Sequence, residues 1–176
     1  MASLITHPAV PLALVAIVGR RLVPWPLLAL GIVFSILPDL DAIGFRLGVP
    51  YASPFGHRGF THSIAFAALC AVLIAPFARV LGATALTTFA FLFASMASHG
   101  ILDAFTDAGM GVALAWPFSD HRFFFSFRPI EASPIGWQRF LSPRGLEILR
   151  SELTWVWTPL IMLALVARGV RKVRAT

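Results

Sequence analysis

Apolar residues occur in five runs, each bounded by charged, glycine or proline residues. They cover residues 8–19, 22–37, 64–81, 83–102 and 153–167. The first two are shorter than the roughly 20 residues that span a hydrocarbon core, so we expect short, re-entrant or hairpin-packed helices there. The second run ends at Pro38-Asp39-Leu40-Asp41, and Pro76 predicts a kink in the third. Glycine and proline in residues 42–60 indicate a loop. Residues 103–152 contain most of the remaining polar residues, which indicates an interfacial or extramembrane segment.

The composition indicates that these helices belong to a membrane protein. Of the 176 residues, 58% are hydrophobic and only 12% are charged, which exceeds what a soluble core requires. We therefore expect one all-α, polytopic transmembrane bundle covering residues 1–176. The net charge is +6, but the basic residues are not interleaved with aromatic residues in a nucleic-acid-binding pattern. We therefore expect membrane lipids rather than nucleic acid as partners.

The basic residues predict the orientation of the bundle. The terminal cluster of Arg168, Arg171, Lys172 and Arg174 places the C-terminus in the cytoplasm. Counting back through alternating spans brings three further arginines to that side, Arg20, Arg21 and Arg79, with no acidic residue. The opposite, periplasmic side then receives every candidate metal ligand, namely His7, Asp39, Asp41, His57, His62, His99 and Asp103.

The strongest single signal is His99-Gly-Ile-Leu-Asp103 at the end of a long apolar run. Residues four apart share one helix face, and an imidazole with a carboxylate can bind a divalent cation. Such groups are costly at membrane depth, so they usually have a partner or a task. We therefore predict that both residues are metal ligands.

Two other motifs offer ligands, each with a structural alternative. Asp39 and Asp41 could instead form a helix-ending turn or an N-cap. His57 and His62 are five residues apart, so they cannot share one helical face, and both could simply be surface histidines. Asp41 or His57 could also serve as a general base rather than as a ligand.

The segment Arg58-Gly-Phe-Thr61-His-Ser63 leads into an apolar run. Arg58 has a planar fork suited to phosphate, although it could be an arginine that snorkels to the lipid headgroups. Thr61 or Ser63 could be no more than an N-cap.

The ligand types predict the metal. Imidazole and carboxylate without thiolate suit zinc, and also manganese or iron. More ligands are present than one tetrahedral ion needs, so two ions are plausible, with Asp103 as a bridge. Such a site activates water for displacement at phosphorus, and Arg58 would hold the phosphate oxygens.

With these motifs assembled, the chain resembles the YdjM/YbcI-like family of inner-membrane proteins classed as metal-dependent hydrolases. The matching pieces are His7, Leu37-Pro-Asp39-Leu-Asp41, His57-Arg-Gly-Phe-Thr-His62-Ser63, Ser98-His99-Gly-Ile-Leu-Asp103 and Trp116-Pro-Phe-Ser119. That family is distantly similar to zinc-dependent phospholipase C and the P1-type nucleases. The similarity implies as zinc ligands His7, Asp39 or Asp41, His57 or His62, His99 and Asp103. Those enzymes have further downstream ligands where this chain offers only His121 and scattered glutamates, which argues against a third ion.

We therefore expect a membrane-bound hydrolase of phosphoesters, with phospholipid headgroups as the preferred substrate class. The alternative is a non-catalytic metal-binding membrane protein or a transporter. A transporter needs polar groups continuing through the bilayer, and the runs at 64–81 and 153–167 contain almost none.

Overall fold

The chain folds into helices and loops. The structure, a computed structural model, describes residues 1–134 and 140–174. Its α-helices are α1 (Ala9–Val18), α2 (Trp25–Ile36), α3 (Ile64–Ile74), α4 (Ala85–Ala104), α5 (Pro143–Glu152) and α6 (Thr158–Arg174). Short 3₁₀ segments cover Leu37–Leu47, Phe60–His62 and Ala75–Phe77, and a π-helical turn, Leu153–Trp157, joins α5 to α6. The described residues contain only isolated β-bridges, which confirms the all-α prediction.

Three continuous helical stretches are long and apolar enough to cross a membrane. They are Trp25–Leu47, Ala85–Ala104 and Pro143–Val173, while Ala9–Val18 and Ile64–Phe77 are shorter apolar helices. Pro24 and Pro26 lie at the start of α2, where the fixed φ of proline suits a first turn. The prediction of a polytopic transmembrane bundle is confirmed.

Helix α4 lies in the middle of the bundle, against α1, α2 and α3, and α6 packs along α1. The buried core between these helices includes Leu27, Ala67, Phe91, Leu92 and Met96. Gly31 lets the ring of Phe91 approach α2, because a Cβ at that position would lie 2.3 Å from the ring.

The two ends of the bundle differ in chemistry. At one end, Arg171 donates to the carbonyl of Ala16 (2.7 Å), and Gly82 lies against Pro24. At the other end, His99 contacts the carbonyl of Ser35. The turns that carry Arg20, Arg21 and Arg79 therefore share one end with the C-terminal basic residues, and the histidines of the candidate site gather with the acids at the other.

Three predicted boundaries were wrong. Residues 42–47 are not a loop, because the 3₁₀ segment continues α2 as far as Leu47 and stops at Gly48, whose φ is 75°. Pro76 does not kink a continuing helix, because α3 ends at Ile74 and passes into a 3₁₀ turn. The last helical stretch begins at Pro143 rather than at residue 153, because the amphipathic helix α5 precedes the apolar run.

Candidate metal centre

Five of the predicted ligands meet at the acidic end of the bundle. Asp39, His62, His99 and Asp103 each offer one ligand atom within 4.8 Å of the others. The ring of His7 stacks on that of His99 with their centroids 3.7 Å apart. Its Nε2 lies 3.9 Å from Asp39 Oδ2 and 3.8 Å from Asp103 Oδ1. We call these five side chains the cluster.

Each ligand comes from the end of an element that reaches the same level of the bundle. His7 precedes α1, Asp39 lies in the 3₁₀ extension of α2, and His62 precedes α3. His99 and Asp103 lie one turn apart on α4, as the four-residue spacing predicts. Alternating helix directions thus bring together residues that are distant in sequence.

The tautomer of His99 directs a lone pair into the cluster. Its Nδ1 lies 2.8 Å from the carbonyl oxygen of Ser35, and since a carbonyl only accepts, Nδ1 must donate. In a neutral imidazole the other nitrogen then carries no hydrogen. His99 Nε2 is 3.1 Å from His62 Nε2.

His62 is oriented in the same way by Asp41. Its Nδ1 lies 3.1 Å from Asp41 Oδ2 and 3.0 Å from Thr61 Oγ1. Thr61 donates its own hydroxyl hydrogen to Asp41 (2.7 Å), so its oxygen is free to accept from His62. The Nε2 of neutral His62 is therefore also an acceptor, and two lone pairs meet at 3.1 Å. Only a proton or a metal cation can satisfy both.

Asp39 adds a carboxylate that lacks hydrogen bonds. Neither of its oxygens, nor either ring nitrogen of His7, has a hydrogen-bond partner within residues 1–134 and 140–174. Buried polar groups are nearly always paired, and a carboxylate without donors is especially costly. Three carboxylates here, Asp39, Asp41 and Asp103, face the buried guanidinium of Arg58 and the N-terminal amine, neither of which donates a hydrogen bond to Asp39. A proton or a metal cation held by the histidines would balance the remaining charge.

The pKa values of the two histidines outside the membrane-spanning segments differ in direction. Burial, followed by the neighbouring His99, lowers the pKa of His7 to about 3, so this imidazole is neutral. Burial alone would lower the pKa of His62, but contacts with Asp39 and Asp41 outweigh it and raise the pKa to about 9. The ion-free cluster therefore holds a proton on His62.

The dimensions of the cluster suit a small divalent cation. In a tetrahedral zinc site with bonds of about 2.0–2.1 Å, neighbouring ligand atoms lie about 3.4 Å apart. Asp39 Oδ1 is 3.3 Å from His99 Nε2 and 3.7 Å from His62 Nε2, and Asp103 Oδ2 is 3.7 Å from His62 Nε2. The spacing of Asp39, His62, His99 and Asp103 therefore suits one ion with little movement, and His7 Nε2 lies within 3.9 Å of both carboxylates.

Comparison with known proteins shows the family to which the chain belongs. The family model of the YdjM inner membrane protein matches residues 1–175. The chain belongs to the YdjM inner membrane protein family. It is 41% identical to the inner membrane protein YbcI of Escherichia coli (strain K12) over 164 residues, which cover 93% of this chain and 95% of that protein. No solved structure matches the chain. The family description and the apolar helices indicate an inner-membrane location.

Arg58 of this YdjM-family chain lies inside the bundle, which excludes the alternative of an arginine that snorkels to the lipid headgroups. It is fully buried, and its guanidinium donates to Asp103 Oδ2 (3.0 Å), the carbonyl of Ala108 (2.9 Å) and Thr106 Oγ1 (2.8 Å). Its backbone φ is 61°, in the left-handed region that non-glycine residues seldom adopt. These contacts hold Asp103 in place, and because the guanidinium has no exposed surface, the geometry favours a positioning role.

His57 and Asp41 form a second group beside the cluster. Asp41 accepts from His57 Nδ1 (2.6 Å) and from the backbone N–H of Arg58 (3.1 Å), besides Thr61 and His62. With both oxygens occupied by donors, Asp41 is placed to orient histidines. His57 lines a cavity of about 650 Å³ together with Tyr51, Gly109 and Arg144. Because its Nδ1–H goes to Asp41, Nε2 is the basic nitrogen of His57.

Asp39 opens the cluster to a second cavity. This space of about 360 Å³ is lined by Asp39, Ser3 and mostly apolar side chains, including Leu4, Ile5, Ile36 and Leu40. Both cavities are bordered by Ser133 and Pro134. The only solvent-reachable ligand of the cluster is thus a carboxylate, with 8% of its surface exposed.

Sequence reasoning missed two residues that shape the centre. Gly100 has no room for a side chain, because a Cβ would lie 2.3 Å from the carbonyl oxygen of His62. An isolated glycine within a helix is a signal for such close approach. The sequence indicates only a capping role for Thr61, whereas Ser63 caps α3 by accepting from Phe66 N (3.0 Å) and Thr61 positions His62.

Proposed function

We propose that this protein is a membrane-bound, metal-dependent hydrolase of phosphoesters, with phospholipid headgroups as the preferred substrate class. The observation that carries the proposal is the close approach of the Nε2 atoms of His62 and His99, 3.1 Å apart, which only a shared proton or a metal cation can satisfy, beside the Asp39 carboxylate, which has no hydrogen-bond partner among the described residues. The donor set of imidazoles and carboxylates suits zinc first, and also manganese or iron.

The residues of the cluster have distinct tasks in this proposal. Asp39, His62, His99 and Asp103 would hold one ion, and His7 would be a further ligand if a second ion bound beside it. A divalent ion there lowers the pKa of water toward neutrality and polarises the phosphoryl group. Ser35 and Asp41 fix the tautomers of the two central imidazoles, as the outer contacts of metal-binding histidines commonly do.

His57 is the group we assign as general base. Asp41 holds it in the tautomer with a free Nε2, as a carboxylate does for an imidazole that accepts a proton. His57 would take the proton of the attacking water at Nε2 and return it to the leaving oxygen. Its place on the wall of the larger cavity supports this assignment.

The surroundings favour an amphipathic substrate. The apolar cavity reaches Asp39, while the larger one carries Tyr51 and Arg144. A headgroup in the polar space with an adjoining acyl chain in the apolar space would place the ester near the cluster. The concentration of acids and histidines at one end of a membrane bundle supports a substrate drawn from that surface, which we propose is periplasmic.

A non-catalytic metal-binding role is the second candidate. The observation that favours it is burial, since His7, His62 and His99 are at most 2% exposed. Structural zinc sites are closed in this way, whereas catalytic ones keep an open position.

Metal analysis combined with turnover separates the two candidates. The purified protein and its His99→Ala and Asp39→Asn variants would be analysed for bound metal, with His121→Ala as the control, because His121 is exposed and lies outside the cluster. We expect stoichiometric metal in the wild type and the control only. Chelator-sensitive hydrolysis of a phosphodiester or phospholipid would support the enzyme. Metal binding without hydrolysis would favour the structural role, and full metal retention in both cluster variants would refute the site.

A further inference from the structure

A groove between α1 and α6 lies on the apolar flank of the bundle. It has a volume of about 240 Å³ and is lined mainly by Leu12, Ala16, Leu160, Ile161 and Leu165. Trp157 and Arg168 also line it, and their separation of 11 positions corresponds to about 17 Å of helix. That length is close to half of the roughly 30 Å hydrocarbon thickness, so the groove matches the depth of one leaflet.

The Arg168 end of the groove is strongly basic. Arg171 lies one turn further along α6 and donates to the carbonyl of Ala16 (2.7 Å), while its Nη1 is near Gly19. The next residue, Arg20, places its guanidinium 3.6 Å over the ring of Trp25. One of its nitrogens, Nη1, is buried without a hydrogen-bond acceptor in the described part of the chain.

No acidic side chain is available to balance these charges. The acids of the sequence lie at positions 39, 41, 103, 107, 120, 131, 147 and 152, all outside the turns of the basic end. Arg168, Arg171 and Lys172 follow one another on α6 with Arg20 and Arg21 after α1. A bound anion would therefore find basic side chains here that no carboxylate neutralises.

We propose that this groove binds an anionic phospholipid, with an acyl chain along α1 and α6 and the phosphate at Arg168 and Arg171. An apolar channel of leaflet length that ends in guanidinium groups without a carboxylate partner matches the two parts of such a lipid. The phosphate end of the groove lies at the end of the bundle opposite the metal centre, while its other end, at Trp157, lies beside Thr6. The proposed lipid site does not depend on the proposed hydrolase activity.

Native mass spectrometry of the full chain in detergent tests the proposal. The probes are phosphatidylglycerol and phosphatidylcholine with identical acyl chains, a short-chain phosphatidylglycerol, and inorganic phosphate. We expect preferential retention of long-chain phosphatidylglycerol, weaker retention of the short-chain form, and no displacement by millimolar phosphate. Arg168→Gln should weaken phosphatidylglycerol binding about fivefold, since one basic residue contributes about that factor near a charged surface.

Two further variants make the result specific. Arg168→Lys keeps the charge and should bind as the wild type does. Arg79→Gln removes an exposed arginine from the same end of the bundle but outside the groove, and it should change binding less than twofold. Equal retention of both long-chain lipids, or equal losses in Arg79→Gln and Arg168→Gln, would overturn the proposal, as would displacement by phosphate alone.

Discussion

Replacing Gly100 by alanine tests whether α4 and the His62 segment must touch for the cluster to form. The new Cβ would lie 2.3 Å from the carbonyl oxygen of His62 and 3.0 Å from Leu114 Cδ2. An ordinary carbon–oxygen contact is about 3.3 Å, so helix and segment must separate by about 1 Å. Metal sites tolerate displacements of only about 0.2 Å.

We therefore expect Gly100→Ala to lower zinc affinity at least 10-fold, and up to about 100-fold, the range found when groups that position ligands are altered. Competition with a chromophoric chelator would give the affinity, and thermal unfolding without metal would report the fold. Steric conflict should outweigh the gain of about 1 kcal/mol that alanine brings to a helix interior.

Gly169→Ala is the matched control, because Gly169 also lies in a helix and a Cβ added there would have no atom within 4 Å. It should bind zinc normally and unfold at the same or a slightly higher temperature. If Gly100→Ala bound zinc as tightly as Gly169→Ala, the close approach of α4 to His62 would not be what builds the centre.

Three further outcomes follow from the contacts. Asp41→Asn should lower zinc affinity about 10- to 100-fold by freeing His62, and unchanged affinity in the chelator assay would remove Asp41 from the centre. Zinc binding at pH 7 should release about one proton, which comes from His62 (pKa about 9) and not from His7 (pKa about 3). The zinc affinity should therefore rise about tenfold per pH unit from pH 6 to pH 8. Calorimetry in buffers of different ionisation enthalpy counts the released protons, and a count of zero contradicts the assignment. Arg58→Met should cost about 3–5 kcal/mol of stability by removing the guanidinium from Asp103 Oδ2 and leaving the backbone N–H of Ala2 as its hydrogen-bond donor. Thermal unfolding in detergent measures this loss, and normal stability with lost phosphate affinity would restore the phosphate-binding role.

The sequence was informative about which residues meet. Hydrophobic runs alternate in direction, so the side that holds His62 also holds His99 whatever the exact helix ends are. The His99–Asp103 spacing fixes one helix face by geometry alone. These are properties of span number and helix period, and both survive errors of several residues at a boundary.

The sequence did not predict the role of each side chain in and around the cluster. Asp39 and Asp41 occupy the same motif, and only the fold shows that Asp41 is surrounded by donors while Asp39 has none among the residues that the structure describes. Arg58 has the chemistry for phosphate, but its left-handed backbone and buried acceptors direct it inward. Such outcomes depend on packing between segments that are far apart in the chain, which local patterns do not encode.

X-ray absorption spectroscopy of the zinc-loaded protein tests the central claim most directly. We expect about one zinc per chain, bound by nitrogen and oxygen atoms at about 2.0–2.2 Å, with the signature of at least two imidazoles and no sulfur. The spectrum should be lost in His99→Ala and kept in His121→Ala. A protein that binds no stoichiometric metal, or whose spectrum is the same in both variants, would contradict a shared cation at the meeting point of these helices.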